Sequence, residues 1–441
     1  MARKITKSGR RPAGTERSGI SRRRMLKGAA AAAGLAVGSG AIKGFPTIWA
    51  QNIKDITLLQ VGGSYSSIID IARQATADLG FKIEMQNAAS DALVNRIATQ
   101  PESLDIADIE YWMQSKLLPR GVLQPIDLKR FKYWDKVVPI FTKGEYPDGG
   151  KVSPQGTLPY EVQYVADPGA KEFHDGPTDW ATGIPTVFNA DTLGIRPDII
   201  NRPIEHWHEL LNPEFKGRAA IIDVPSIGIM DAALAIESRG DLKYGDKGNM
   251  TREELDKTVA ILIDAKKSGQ FRSFWTTFDD SVNLMASGEV VIQSMWSPAV
   301  TAVRARGIPC YYTPLKEGYR AWASNSAPMA HLSGLKLDAA YEYLNWHQSG
   351  WQGGFIAKQG YYSSVPETAK GFMSEDEWNY WYDGKPAQGE IKDPYGNLME
   401  KAGTVRDGGA FWERMGNVAC WNTVMDENRY MVQKWNEFIA A

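Results

Sequence analysis

Beyond residue 50 the apolar positions switch repeatedly between two periods. Ile56-Thr57-Leu58-Leu59-Gln60-Val61 is a short β-branched and apolar run, the pattern of a buried strand. Gly62-Gly63-Ser64-Tyr65 breaks it, and over 67–79 Ile68, Ile71, Ala72, Ala75 and Leu79 recur on one helical face. Residues 81–85 predict a second strand, 91–99 a helix with Leu93, Val94 and Ile97 apolar, and 105–109 a third strand. The alternation returns downstream: a strand over 219–223, a helix over 229–238, and a helix over 252–268 that Thr251 and Glu254 cap as a box. A helix over 280–287 ends at Gly288, and a strand follows over 290–294. The tail from 375 is denser in Trp and Tyr and reads as helical and loop-rich. Strands alternating with helices predict α/β lobes with largely parallel sheets. No repeat, heptad run or long linker interrupts them, so the lobes are expected to exchange chain through strands.

The N-terminus follows a different pattern. Ser21-Arg22-Arg23-Arg24-Met25-Leu26-Lys27 precedes an Ala/Gly-rich apolar stretch over 28–38, the order of a twin-arginine export signal. The stretch is too short for a membrane span, which needs about 20 apolar residues. Cleavage after Ala50 is expected, which places the remainder in the periplasm. The charge picture changes with it. The whole chain carries 50 basic and 52 acidic residues, but residues 1–50 hold eleven of the basic ones and only Glu16 of the acidic ones. The remaining chain has 39 against 51, a net charge of −12. That disfavours nucleic acid and anionic lipid and is compatible with a cationic ligand, though ordinary solubility accounts for such a charge by itself. About 390 residues suggest two lobes. Cys310 and Cys420 are the two cysteines, 110 positions apart, and the sequence leaves both the paired and the free state open.

Several segments, in order, resemble the extracellular solute-binding proteins of ABC importers, especially the spermidine/putrescine-binding branch. They are Leu104-Asp105-Ile106-Ala107-Asp108 with Gly121-Val122-Leu123-Gln124-Pro125-Ile126-Asp127, and Gly183-Ile184-Pro185-Thr186-Val187-Phe188-Asn189 at the first crossover. Trp207-His208-Glu209-Leu210-Leu211-Asn212-Pro213-Glu214-Phe215-Lys216-Gly217-Arg218 is close to the family's W-x-x-L-x-x-P-x-x-K-G box. Met285-Ala286-Ser287-Gly288-Glu289-Val290 and Ser294-Met295-Trp296-Ser297 follow. The likeness runs from about Ile56 to Pro366. It implies an α/β, type II-like periplasmic-binding-protein fold of two lobes joined by hinge strands. Lobe 1 is expected over 51–185 plus about 318–345, lobe 2 over 186–317, and a helical segment over 346–441. The implied activity is closure on a small molecule and its delivery to an inner-membrane ABC permease. The chain is expected to be a monomer that meets the twin-arginine translocase during export.

Such a cleft forms where strand C-termini and helix N-termini converge. Four loops qualify by position. In the first, Ser64 and Tyr65 follow glycines that let backbone approach a ligand; a plain helix-start turn reads equally well. In the second, Glu110 is a candidate anchor for a cation and Tyr111 a candidate cover; a carboxylate stabilised by the helix dipole is the competing reading. The third offers Asp223, with no second acid in Val224-Pro225-Ser226. The fourth pairs Trp296 with Trp322, which resemble the walls that sandwich an aliphatic amine. The acid that the family places two residues after the second Trp is replaced by Ser324. A diamine needs a carboxylate at each end, so a polyamine and another small cation or zwitterion both fit.

Enzyme readings find less purchase. His206 and His208 are ligand types, but two apart on a helix they point to different faces. No G-x-S-x-G, H-E-x-x-H, P-loop or dinucleotide fingerprint occurs. No cofactor, no metal and no catalysis are expected. Two alternatives stay open: ferric-iron binding through Tyr111, Tyr361 and Tyr362, and an exported redox enzyme of the kind that uses twin-arginine signals.

Overall fold

The computed structural model describes residues 53–441 apart from Ser64 and Ser67, so the expected export signal at 1–50 and the candidate Ser64 lie outside the described residues. The first half is built from β1 (Thr57–Gly62), α1 (Ile69–Leu79), β2 (Lys82–Asn87), α2 (Ser90–Thr99), β3 (Ile106–Glu110) and α3 (Tyr111–Leu117). β1 lies parallel to both β2 and β3, in registers Thr57↔Lys82 and Gln60↔Ile106. Parallel strands are covered by helices on both faces, which is why β1 and β3 read as near-continuous apolar runs.

β4 (Ile184–Ile195) is twelve residues long and buried throughout. After it come β5 (Ala219–Ile222), α4 (Pro225–Arg239), α5 (Arg252–Lys267), β6 (Phe271–Trp275), α6 (Phe278–Ser287), β7 (Ile292–Met295) and α7 (Ser297–Ala305). β5 is parallel to both β6 and β7. β8 (Tyr319–Pro328) then returns to the first half, followed by α8 (Gly334–Gln348), β9 (Tyr362–Ser363), β10 (Val418–Trp421) and α9 (Asn428–Ala440). The sheet order is β2-β1-β3-β8-β4-β7-β5-β6. β4 pairs antiparallel with β8 from Ile184 to Asp191, and with β7 from Thr192 to Ile195. One strand therefore serves both parallel clusters, and β8 runs beside it. The connection is made by two buried crossing strands, because the chain has no Pro/Gly-rich tether there.

Local sequence explains most boundaries. Thr251 Oγ1 accepts from the Glu254 N–H at 3.2 Å while Glu254 Oε2 accepts from the Thr251 N–H at 2.7 Å, the expected capping box of α5. α4 starts at Pro225, four residues before the expected start at 229. Proline at a first helical turn gives up a donor that would be unpaired anyway. The Trp207 box departs further from expectation. Residues 207–211 form a 3-10 turn, and the His206 and His208 rings stack with centroids 5.2 Å apart instead of pointing to different faces. His206 Nδ1 lies 2.6 Å from Glu317 Oε1 and His208 Nδ1 3.0 Å from Ser238 Oγ, while Trp207 donates to the Gly318 carbonyl at 2.8 Å. The box thus pins the entry to β5 against the start of β8.

Cys310 and Cys420 are both free and buried, and burial pushes each thiol up to about 12. Among the described residues no helix is long and apolar enough to cross a membrane.

Candidate functional site

The C-terminal ends of the parallel strands carry the candidate side chains. Gly62, at the end of β1, has a packing role. A Cβ there would stand 2.3 Å from the Asp108 Cβ, so the missing side chain makes room for the neighbouring strand. Beyond it the chain turns inward. Tyr65 is fully buried, its hydroxyl 2.8 Å from Ser326 Oγ and its ring edge-on to His347. Ser66 donates to Asp108 Oδ2 at 2.8 Å and receives from Gln60 Nε2 at 2.9 Å. Burial and the nearby Asp108 push the Tyr65 hydroxyl well above its ordinary range. This first loop is an internal polar seam of the first half.

At the end of β3 neighbouring residues diverge. Tyr111 is buried, stacks on Phe141 and donates to Gln163 Oε1 at 2.5 Å. Glu110 keeps part of its surface open. Its Oε2 accepts from Trp112 Nε1 at 3.1 Å and from Asn422 Nδ2 at 2.8 Å, while Oε1 has no protein donor among the described residues. Burial pushes its carboxyl up, against the pull of Asn422, Trp112 and the Arg320 charge. In the β3–β8 ladder Glu110 lies directly across from Ser324. Cross-strand partners have Cβ atoms about 4.5–5.5 Å apart. Ser324 takes the place of the acid expected two residues after Trp322, and a carboxylate is supplied there from the adjacent strand.

On the other half, Asp223 follows β5. Its Oδ1 accepts from Trp435 Nε1 at 2.7 Å, and its backbone N–H bonds the Trp275 carbonyl at 2.7 Å. Trp296 is half-buried at the N-cap of α7. It meets Trp275 edge-on at 4.8 Å and stacks over Phe278 at 6.5 Å. Trp322 is 8% exposed and meets Tyr361 edge-on at 6.2 Å. Trp296 and Trp322 share no ring contact among the described residues; each heads its own aromatic group. The Nε1–H groups of Trp275 and Trp322 are buried without a protein acceptor among the described residues.

Between these groups lies a charged cluster that sequence reading passed over. Arg320, on β8, is 1% exposed. Its Nε donates to Asp231 of α4 at 2.7 Å, its Nη1 to Asn422 Oδ1 at 2.8 Å, and Nη2 reaches Asp191 of β4 at 3.3 Å. Burial, opposed by Arg320 and reinforced by Asp231, pushes Asp191 up to about 7. The sequence signal was a lone arginine inside a strand otherwise apolar or small, Ala321-Trp322-Ala323. The glutamate, Asn422, Arg320 and the two aspartates form one hydrogen-bonded series that starts at β3 and ends on β4 and α4.

Two of the three tyrosines of the ferric reading, Tyr111 and Tyr362, have their hydroxyls engaged, while Tyr361 is placed by its ring contact with Trp322. Tyr362 Oη accepts from Arg406 Nε at 2.9 Å and Arg414 Nη1 at 2.7 Å, and Tyr111 is bonded to Gln163. Among the described residues no three His, Cys, Asp or Glu side chains group to hold a metal. A separate cavity of about 690 Å³ lies between α2, α3 and residues 424–430. Lys116, Arg120, Arg252 and Arg429 line it together with Asp426 and Glu427, so it is of mixed charge with a basic excess.

Comparison with known proteins gives the geometry a context. No curated protein matches the chain. Among solved structures, a putative spermidine/putrescine ABC transporter from Listeria monocytogenes superposes with a TM-score of 0.61 at 14% identity, covering 87% of this chain and 98% of that one. The spermidine/putrescine ABC transporter substrate-binding protein of Streptococcus pneumoniae gives 0.58 at 13%, covering 87% and 97%. A periplasmic binding protein from A. tumefaciens in complex with agropinic acid gives 0.54 at 15%, covering 87% and 99%. At these identities the likeness shows the fold, which is the two-lobe periplasmic-binding-protein fold. The model of the family described as bacterial extracellular solute-binding proteins matches residues 70–381, and the chain belongs to that family.

Proposed function

We propose that this is the periplasmic solute-binding protein of an ABC importer, exported by the twin-arginine translocase, which closes on a small amine-bearing molecule and hands it to the inner-membrane permease without chemical change. In this reading lobe 1 spans 51–185 and about 318–345, lobe 2 spans 186–317, and residues 346–441 pack on both. The carrying observation is Glu110. One oxygen of its carboxylate accepts from two neutral donors and the other has no protein donor among the described residues, which suits an ammonium group. Asp223 offers a second acid from the opposite parallel cluster, and Trp296 with Phe278 and Trp322 with Tyr361 supply aromatic faces that attract cations. Mechanism follows from the hinge. A ligand held by both lobes stabilises the closed arrangement by its differential affinity for it.

A second reading is favoured by the indole N–H groups of Trp275 and Trp322, which have no acceptor among the described residues. Buried donors lacking acceptors suit a ligand that also bears a carboxylate or hydroxyl oxygen, and one structure of the same fold holds agropinic acid. Calorimetry with putrescine and with 4-aminobutyrate separates the two. Binding of either, weakened about 10- to 100-fold in Glu110→Gln as expected for loss of a charged hydrogen bond, supports the amine reading. Affinity for neither amine, or an unaffected Glu110→Gln, overturns it.

A further inference from the structure

Asn422 is 312 positions from Glu110 and belongs to no motif, yet its amide connects the candidate anchor to the hinge. Three geometric facts fix how it acts. Its backbone N–H bonds the Ala321 carbonyl of β8 at 2.8 Å, so the residue is held to the hinge strand independently of its side chain. Its Oδ1 accepts from Arg320 Nη1 at 2.8 Å and its Nδ2 donates to Glu110 Oε2 at 2.8 Å. The side chain is 6% exposed, with little surface left for water.

The assignment of amide oxygen and nitrogen follows from the partners. A guanidinium has only donors and stays charged, so it accepts no amide N–H. With Arg320 on one side, the carbonyl oxygen of Asn422 must face it, and the NH₂ must face Glu110. Arg320 itself cannot turn away, because Nε is bonded to Asp231 of α4 and Nη2 to Asp191 of β4. We infer that Asn422 is a positioning residue: oriented by Arg320, it donates to one oxygen of Glu110 and leaves the other presented to the ligand, and through Arg320 with Asp231 and Asp191 it ties that arrangement to the opposite half and the hinge strand. This rests on Glu110 being the ammonium anchor for its ligand consequence, but not for its effect on Glu110 itself.

The physical argument is one of bond polarity. A hydrogen bond donated to a carboxylate stabilises the charged form, so an amide donor opposes the penalty of partial burial. The charged group acting on Glu110 is Arg320 of β8, and from α3 Lys116 lies further out, 5.4 Å over the Trp112 ring. Trp112 supplies the second donor to the same oxygen. Burial still pushes the carboxyl up in the presence of all of these, so losing one donor should move it further.

The test reads Glu110 directly. In protein labelled with ¹³C at glutamate carboxyls, the Glu110 signal is the one missing from Glu110→Gln, and its titration midpoint is followed in each variant. Asn422→Ala is expected to raise the midpoint by about one pH unit, the scale of a single charged hydrogen bond. Trp112→Phe should raise it similarly. Asn422→Asp keeps an acceptor for Arg320, which protects folding, but loses the donor and adds a charge, so it should raise the midpoint most. Asn422→Ser, which retains a hydroxyl donor, should recover part of the shift. Unchanged midpoints in folded Asn422→Ala and Asn422→Asp would overturn the assignment. Putrescine binding is measured in parallel across pH: Asn422→Ala should move the acid limb of its binding profile upward by the same interval as the Glu110 midpoint, with affinity recovered above it. A shifted midpoint in a protein that binds no amine leaves the positioning role standing and removes the amine reading instead.

Discussion

Trp296 occupies the first position before α7, with its ring edge against Trp275 and its face toward Phe278. Part of its surface stays open at the edge of the core, so in the proposed reading truncation removes a ligand face. Trp296→Ala is expected to weaken amine binding about tenfold or more, the scale of a desolvated cation–π contact, while far-UV circular dichroism and the thermal midpoint change little. Unchanged affinity removes Trp296 from the site. At this scale the position of a residue at a strand end was legible in the sequence, as for Glu110 at the end of β3 and Trp296 after β7, while its part in binding belongs to the proposal. The sequence misled at Tyr65 and Tyr111, which occupy the expected loops but turn inward to Ser326 and Gln163. Whether a loop side chain points in or out depends on partners more than 50 or 250 positions away, which a local pattern does not contain.

The two crossing strands, β4 and β8, place a carboxylate, Asp191, where water is excluded. Its folded carboxyl holds a proton to about 7, whereas an unfolded aspartate releases it near about 3.9. Folding therefore takes up a proton between those values, and the stability contributed by the neutral form is full below about 4 and lost as pH rises toward 7. Asp191→Asn is expected to abolish that part of the slope, read as the difference between wild-type and variant urea midpoints at about pH 5 and pH 7.5. A parallel pair of curves refutes it. In α4, a Cβ on Gly228 would lie 2.4 Å from Trp435 Cη2 and 2.5 Å from the Ile222 carbonyl oxygen. Gly228→Ala should cost about 1–3 kcal/mol in chemical denaturation, the usual scale of overpacking, and should also pull Trp435 from Asp223. Periodicity predicted most of these elements because each buries one face against its own half. The hinge charges were not visible that way, since Arg320 meets Asp231 and Asn422 only after the chain has crossed twice.

For the whole molecule, order and spacing of weak boxes carried the two-lobe fold, even though each box alone is short. What they did not carry is the ligand. In the proposed reading, specificity would rest on side chains such as Asn422 and Trp275, which no box includes and which meet their partners only in three dimensions. Cys310 and Cys420 are free and buried, Cys310 just before the 311–312 pairing with β4 and Cys420 on β10 opposite Arg320 of β8, and this has a consequence for biogenesis. A fold with no covalent cross-link needs no oxidant and no isomerase to mature. Its native state is equally accessible in a reducing cytosol and in an oxidising envelope, and its thermal midpoint should be the same with and without dithiothreitol. A reductant-dependent midpoint would show a bridge. Without one, sulfur chemistry sets no side of a membrane on which the chain must fold, which agrees with the proposed export of an already folded protein.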